Sequence, residues 1–158
     1  MSKRIQANPS TELTISVVNI DRPGIRKVLG DLEAEIMELI WSRPVENGTT
    51  VRDVFAVLEQ RRAIAYTTVM NTMTRLAKKN LLRAEKGELA YVYRPVYTQD
   101  ELVSTVVDRI INDLLVSFSG ETARALSQLS APDALERQKR LTSEIQMRRA
   151  KRAQAGKG

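Results

Sequence analysis

The side chains best suited to specific chemistry lie in one segment, Tyr66 to Lys79, whose two sides differ in character if the segment is helical. At about 100° per residue, apolar or small side chains fall on one side, namely Val69, Thr72, Met73, Leu76 and Ala77. Short hydroxyls, one amide and two cations fall on the other side, namely Thr67, Asn71, Thr74, Arg75 and Lys78. Asparagine can pair with adenine, arginine with guanine, and threonine can meet a thymine methyl group or a phosphate. The segment therefore predicts a DNA-recognition helix, with an ordinary amphipathic surface helix as the alternative.

The residues that follow predict a short β-hairpin. Asn80 suits the left-handed conformation that ends a helix, and two extended runs, residues 81–85 and 89–94, flank a turn at residues 86–88. In the second run, Leu89, Tyr91 and Tyr93 alternate with Ala90 and Val92. This alternation fits a two-stranded ribbon whose Leu89, Tyr91 and Tyr93 face lies on the helices. Such a ribbon after a recognition helix is a wing. We expect DNA contacts from both parts, at Thr67, Thr68, Asn71, Thr74, Arg75, Lys78, Lys79, Arg83 and Lys86.

Positive charge is concentrated around this unit. The chain has 158 residues and a net charge of +6. The stretch from Arg61 to Arg94 contains eight Lys or Arg and two Glu, whereas the stretch from Asp31 to Glu38 contains four acids and no base. This pattern favours a polyanion as partner without choosing among DNA, RNA and a membrane surface. Aromatic residues make up only 4% of the chain, so stacking platforms for single-stranded nucleic acid are sparse.

Composition disfavours several classes of protein. The sequence has no apolar run of 18 residues and no charged-then-apolar leader, so we expect no membrane span, no secretory signal and a cytoplasmic location. It has no cysteine for a disulfide or thiolate metal site, and no histidine, the commonest general base and zinc ligand. Catalytic triads, phosphate loops and paired carboxylates are also missing. We therefore expect neither an enzyme nor a cofactor or metal.

Two helices are predicted ahead of the recognition segment. The first starts near Asp31, whose carboxylate can cap free N–H groups, and runs to about Ser42. Thr50 and Asp53 resemble a capping box, so a second helix should run from residue 51 to about residue 61. Thr49 and Thr50 can add a short strand to the hairpin.

The two ends of the chain each leave two interpretations open. Residues 1–28 show no helical period and are either a flexible tail or an arm that touches DNA or a partner subunit through Lys3, Arg4, Arg26 and Lys27. The basic run from Arg148 to Arg152 is either a solvated helix end or a non-specific phosphate contact.

A strongly apolar helix is predicted from Gln99 to Phe118. Its stripe recurs as adjacent pairs every four residues, at Leu102, Val103, Val106, Val107, Ile110, Ile111, Leu114, Leu115 and Phe118. This stripe is too wide for an isolated surface helix, so it predicts self-association, with packing against a second C-terminal helix as the alternative. Gly120 should interrupt this helical region. A short helix to Leu129 and a last helix that extends past Arg149 should follow.

An ordered series of motifs resembles the penicillinase-repressor family, the BlaI/MecI-type regulators. The motifs cover roughly residues 29 to 118 and are LGDLEAEIMELIW from Leu29, TVRDV from Thr50, YTTVM from Tyr66, RLAKKNLL from Arg75 and YVYRP from Tyr91. The resemblance implies a bacterial repressor that binds an inverted-repeat operator as a homodimer, joined by its C-terminal helices. It also implies that Thr67, Thr68, Asn71, Arg75 and Lys78 lie in the major groove, with the wing near the backbone.

The sequence departs from the family's known release mechanisms. Members that answer β-lactams are cleaved at an Asn-Phe bond, and this sequence contains no such dipeptide; the matching region reads RALSQL from Arg124. Copper-responsive relatives carry a cysteine cluster, which is absent from this sequence. The inducing signal therefore stays open.

These observations predict a mainly α (α+β) protein with a winged helix-turn-helix domain, a two- to three-stranded wing and C-terminal dimerisation helices. The expected boundaries are residues 1–28 for the arm, 29–97 for the DNA-binding domain, 98–150 for the dimerisation region and 151–158 for a basic tail. The predicted function is a sequence-specific, DNA-binding transcriptional repressor whose partners are double-stranded operator DNA and a second copy of the chain, with no membrane. The alternative is a winged-helix protein-interaction module with only non-specific DNA binding.

Overall fold

A computed structural model describes residues 13–14, 18–130 and 132–155, and the chain divides after residue 105 into two compact units. Lys3 and Arg4, which we considered as DNA contacts of an arm, lie outside the described residues. None of the helices within the described ranges is long and apolar enough to cross a bilayer.

The first unit is built of three helices followed by a two-stranded antiparallel ribbon. Its elements are α1 (Asp31–Trp41), α2 (Val51–Leu58), α3 (Tyr66–Lys78), β1 (Leu82–Lys86) and β2 (Tyr91–Pro95). Short 3-10 helices precede α1 at Gly24–Lys27 and α2 at Val45–Asn47. This order confirms the predicted winged helix-turn-helix fold class.

The core of the first unit lies where the three helices and the base of the ribbon meet. Its fully buried side chains come from the three helices and from the residue that precedes β1, and include Ile36, Met37, Ile40, Val54, Leu58, Val69, Met73, Leu76 and Leu81. Thr72 is buried among them because its hydroxyl donates to the Thr68 carbonyl at 2.8 Å, which satisfies the polar group inside the core. The apolar side predicted for α3 is therefore the buried side, although Ala77 at its edge is only half-buried.

The helix ends follow local hydrogen-bonding rules. At α2, the Asp53 carboxylate accepts from the Thr50 N–H at 2.8 Å and the Asp53 N–H donates to the Thr50 hydroxyl at 3.2 Å, which confirms the predicted capping box. The same helix ends at Leu58, earlier than predicted, because the Arg61 and Arg62 N–H groups both donate to the Leu58 carbonyl and the chain tightens into a turn. The cap of α1 is Gly30 rather than Asp31.

Asn80 ends the recognition segment as predicted, with φ of 60°. Its N–H donates to the Ala77 carbonyl, and the Leu81 N–H donates to the Leu76 carbonyl, each at 3.0 Å. This pair of bonds is a Schellman motif, which satisfies the last carbonyls of α3 and turns the chain into β1.

The ribbon is shifted slightly from the predicted strands. Gly87 closes a four-residue loop because its N–H donates to the Ala90 carbonyl at 3.0 Å, and a Cβ at Gly87 would lie 2.6 Å from that oxygen. Thr49 forms a single antiparallel bridge to Tyr93, at the place where a short strand was predicted, whereas Thr50 caps α2. Tyr93 is buried, whereas Tyr91 and Leu89 are exposed. The prediction that this whole face lies on the helices was therefore wrong for the ribbon's tip, which extends past them.

Part of the predicted N-terminal arm packs on the first unit. Ile25 and Leu29 are buried, Arg22 pairs with Asp31 at 2.7 Å, and Arg26 pairs with Glu38 at 2.9 Å. The pKa of Arg26 is raised, mainly by its hydrogen bond to Glu38. Because Lys27 also bonds to a backbone carbonyl, residues 26 and 27 have partners within the chain. The domain boundary at residue 28 stays a prediction.

The second unit consists of helices. α4 (Gln99–Ser117) begins in the first unit and continues into the second, and α5 (Ser119–Leu129) and α6 (Ala134–Ala155) follow. The chain breaks at Phe118, with φ of −139° and ψ of 57°, so the predicted interruption at Gly120 was wrong by two residues. Gly120 lies in the first turn of α5, a position that tolerates glycine.

Candidate nucleic-acid interface

The exposed side of α3 carries the polar side chains predicted for it. Thr67, Thr68, Asn71, Thr74, Arg75 and Lys78 are all exposed. The Thr74 hydroxyl donates to the Met70 carbonyl at 2.9 Å. Among the described residues, the side chains of Asn71, Arg75 and Lys78 have no hydrogen-bonding or ionic partner. We call the six exposed residues of this side the reading face. Within the described chain, the side chains of Asn71, Arg75 and Lys78 are free to meet an external ligand, whereas the Thr74 hydroxyl bonds to its own helix.

Cations in the first unit fall into two groups. Most arginines outside α3 and the ribbon are paired with acids, as Arg61 and Arg62 are with Glu35. Within the described part of this unit, the exposed cations without an ion pair are Arg52, Arg75, Lys78, Arg83 and Lys86. These five lie on α3, on the ribbon and at the start of α2. The unpaired positive charge is therefore concentrated on the elements that a winged unit presents to DNA.

Lys79 does not join the reading face. Its ammonium group donates to both carboxylate oxygens of Glu33 on α1, at 2.8 and 2.9 Å, and the Glu33 side chain is only 7% exposed. The same carboxylate accepts from the Gly30 N–H at 3.2 Å. A buried carboxylate needs these donors because an unpaired buried charge is strongly unfavourable. Lys79 thus ties the end of α3 to the start of α1.

Arg75 remains on the reading face. The Glu85 carboxylate on β1 pairs with Arg94 on the neighbouring strand, not with Arg75. Arg94 also donates to the Glu46 carbonyl at 3.3 Å. The Glu85 carboxylate is therefore engaged within the ribbon, and the Arg75 guanidinium stays available.

The predicted wing residues, Arg83 and Lys86, lie on β1 and are exposed. Arg83 is opposite Arg94 in the strand register, and Lys86 is opposite Tyr91 at the outer end of the ribbon. These cations thus lie on the ribbon and not on α3. In a winged unit, such an arrangement allows the helix to contact bases and the ribbon to contact the DNA backbone.

A groove of about 750 Å³ lies between α3, the start of α2 and the ribbon. Tyr66, Met70 and Thr74 line it from α3, Leu89 and Tyr91 line it from the ribbon, and Thr50, Val51 and Arg52 from the start of α2. Tyr66 is held by an edge contact with Phe55, with ring centroids 5.5 Å apart. Sequence reasoning missed Arg52, because its position beside α3 depends on how α2 packs.

The residues predicted for dimerisation differ in exposure. Leu102 and Val106 are buried, Ile110, Ile111 and Leu115 are half-buried, and Val103, Val107, Leu114 and Phe118 are exposed. From residue 107 to residue 155, no described side chain is buried. The second unit thus exposes many large apolar side chains, further examples being Leu129, Leu135, Leu141, Ile145 and Met147.

The chain is similar in sequence to known bacterial regulators. The family model described as penicillinase repressor matches residues 29–144. The transcriptional regulator BlaI of Mycobacterium tuberculosis is 49% identical over 76 residues, which cover 48% of this chain and 54% of that protein. An uncharacterized 16.5 kDa protein from Latilactobacillus sakei is 28% identical over 114 residues, 70% of this chain and 76% of that protein. The chain thus spans about half the length of the first of these relatives.

One solved structure to which the chain is similar is that of Bacillus licheniformis BlaI, in its monomeric form in complex with the blaP half-operator. It is 25% identical to this chain, with a TM-score of 0.39. The similarity covers 46% of this chain and 85% of that chain.

Proposed function

The chain belongs to the penicillinase repressor family, and on that basis we propose that it is a transcriptional repressor that binds double-stranded operator DNA as a homodimer. A bacterial repressor acts on the chromosome, so its site of action would be the cytoplasm. The proposal assigns the protein a binding role rather than a catalytic one. One relative, the BlaI protein of Mycobacterium tuberculosis, is named as a transcriptional regulator, which supports this role.

The observation that carries the proposal is the reading face of α3. An exposed helix face that served only solubility would favour Glu and Lys, whereas this face combines an amide, three hydroxyls and two cations without an acid. Amide and guanidinium groups discriminate bases in the major groove, and hydroxyls and cations also bind phosphates. The side chains of Asn71, Arg75 and Lys78 lack partners within the described chain, so they can exchange water for base edges and phosphates.

Self-association is supported by the second unit. Its helices expose apolar residues such as Val107, Leu114 and Phe118, and its described side chains beyond Val106 form no buried core. A unit of about 50 residues without a core cannot offset the entropy of ordering its helices. A second copy of the chain supplies an identical apolar surface, and two-fold symmetry would then impose an inverted repeat on the operator.

Selection from a pool of random duplexes, followed by titration, tests the proposal. The enriched duplexes should contain two inverted half-sites, and fluorescence anisotropy should give at least about a thousandfold preference over a shuffled duplex at physiological salt. The DNA upstream of the protein's own gene should contain the same site if the repressor controls itself. Equal, steeply salt-dependent binding to every duplex would overturn the proposal and favour a winged-helix module whose specific partner is a protein.

A further inference from the structure

The groove between α3 and the ribbon has a composition unlike that of the reading face beside it. Four of its large side chains are apolar or aromatic and exposed, namely Tyr66, Met70, Leu89 and Tyr91. Arg52 is the one cation among the lining residues, and no acid lines the groove. Arg52 has no ion-pair partner among the described residues. The groove therefore combines an apolar wall with a single available positive charge.

The groove is continuous with the reading face. Thr74 belongs to both, and Met70 lies next to Asn71 in the sequence and one helical turn from Thr74. Residues 66, 70 and 77 lie along one side of α3, and all three line the groove. Met70 therefore points toward the groove because of its position on the helix. A ligand that covers Asn71 and Thr74 would thus extend over Met70.

A DNA strand has the chemistry that this surface requires. It presents phosphates at regular intervals, apolar carbons of deoxyribose between them, and the C5-methyl group of thymine in the major groove. A flexible thioether side chain adapts well to such apolar contacts. The lack of acids along the groove removes the repulsion that a phosphate would otherwise meet.

We infer that the groove holds one strand of the operator, with Arg52 binding a phosphate of that strand and Met70 contacting a thymine methyl group. This inference rests on the proposed function and adds two residues to it. It makes Met70 a specificity-determining residue on the apolar edge of α3, and Arg52 a phosphate contact supplied by α2.

Deoxyuridine substitution tests the role of Met70. Each thymine of a selected operator half-site is replaced in turn by deoxyuridine, which lacks only the methyl group. The unsubstituted protein should lose about fourfold in affinity per half-site at one position, the equivalent of one buried methyl group. Met70→Ala should bind the thymine and deoxyuridine duplexes equally at that position, whereas Asn71→Ala should keep the methyl effect. Either a protein insensitive to every deoxyuridine or an unchanged effect in Met70→Ala would overturn the inference.

Salt dependence tests the role of Arg52. Arg52→Gln should reduce the slope of log affinity against log salt by about one per bound protomer. Arg124→Gln removes the same charge from an exposed position on α5 and should leave the slope unchanged. Because both arginines are exposed, thermal unfolding followed by circular dichroism should give the same midpoint for both variants. An equal slope in Arg52→Gln and the unsubstituted protein would remove Arg52 from the interface.

The two proposals can fail separately. If the unsubstituted protein prefers no duplex, the proposed function fails, and the inference about the groove fails with it. If it binds a selected operator tightly but both groove variants behave like the unsubstituted protein, only the inference about the groove is wrong.

Discussion

Asn71 is the side chain of the reading face with the most selective chemistry. It is exposed and has no partner among the described residues, and its amide can bind adenine through two hydrogen bonds. We expect Asn71→Ala to cost about 1–3 kcal/mol at one base position and to relax specificity there. Competition assays with single-base operator variants would measure this. Lys78→Gln serves as the comparison, since loss of a phosphate contact should weaken all sequences alike; equal weakening by Asn71→Ala would contradict base reading.

Asp53 makes the stability of α2 depend on pH. The Thr50 backbone N–H, donating at 2.8 Å, and the Thr50 hydroxyl, donating at 2.7 Å, hold the pKa of Asp53 below its usual value. A lowered pKa in the folded state gives stability that is present above the unfolded pKa of about 3.9 and is lost as the pH falls through the folded value. Asp53→Asn should therefore be less stable at pH 7 by up to about 1 kcal/mol, and the difference should shrink below about pH 4.

Urea unfolding at pH 7 and pH 3 measures this effect. Glu88→Gln provides the control, because Glu88 is exposed on the ribbon's loop and has no ionic partner among the described residues. A difference between Asp53→Asn and the unsubstituted protein that stayed constant down to pH 3 would show that the carboxylate's charge does not stabilise the cap.

The ribbon depends on Gly48, where the chain turns toward Thr49 and its bridge to Tyr93. Gly48 has φ of 62°, and a Cβ there would lie 2.2 Å from a Val92 methyl carbon. Gly24 has a similar φ of 54° but open space around it. Gly24→Ala should cost about 1 kcal/mol from backbone strain alone, whereas Gly48→Ala should cost about 3 kcal/mol because the strain and the clash add.

Urea unfolding of the two alanine variants compares a glycine in open space, Gly24, with Gly48, where the ψ of −177° and the Val92 contact both oppose a side chain. If Gly48→Ala and Gly24→Ala lost the same stability, Val92 would move aside at no cost, and the ribbon would be less firmly packed than its contacts indicate.

Sequence periodicity was sufficient to predict which side of a helix is buried, but not which residues from other elements contact it. The side of α3 that is buried follows from a 3.6-residue period, and the end at Asn80 follows from the left-handed preference of that residue. The Lys79–Glu33 pair joins residues 46 positions apart, so it depends on how α1 crosses α3. The exposure of Leu89 likewise depends on how far the ribbon extends past the helices, a distance that strand alternation does not encode. Whether each predicted contact touches DNA stays a prediction.

At the scale of the whole molecule, the two units differ in how they are stabilised. The first unit buries apolar residues from each of its helices, whereas the described side chains of the second unit beyond Val106 remain exposed or half-buried. The first unit can therefore fold around its own core, and we expect the second to gain stability from an external apolar surface. If that surface is another copy of the chain, stability should rise with protein concentration.

A charge placed on the apolar side of α4 tests this coupling. Val107→Asp should raise the dimer dissociation constant by about 100-fold or more, because the interface would bury an unpaired carboxylate. Asn112→Asp adds the same charge at an exposed polar position on the other side of the helix and should leave the dimer intact. Sedimentation equilibrium measures both constants, and anisotropy should show that Val107→Asp loses affinity for a full inverted repeat while it retains affinity for a single half-site. If Val107→Asp were as dimeric as Asn112→Asp, this side of α4 would not be the subunit interface, and the symmetry expected of the operator would need another origin.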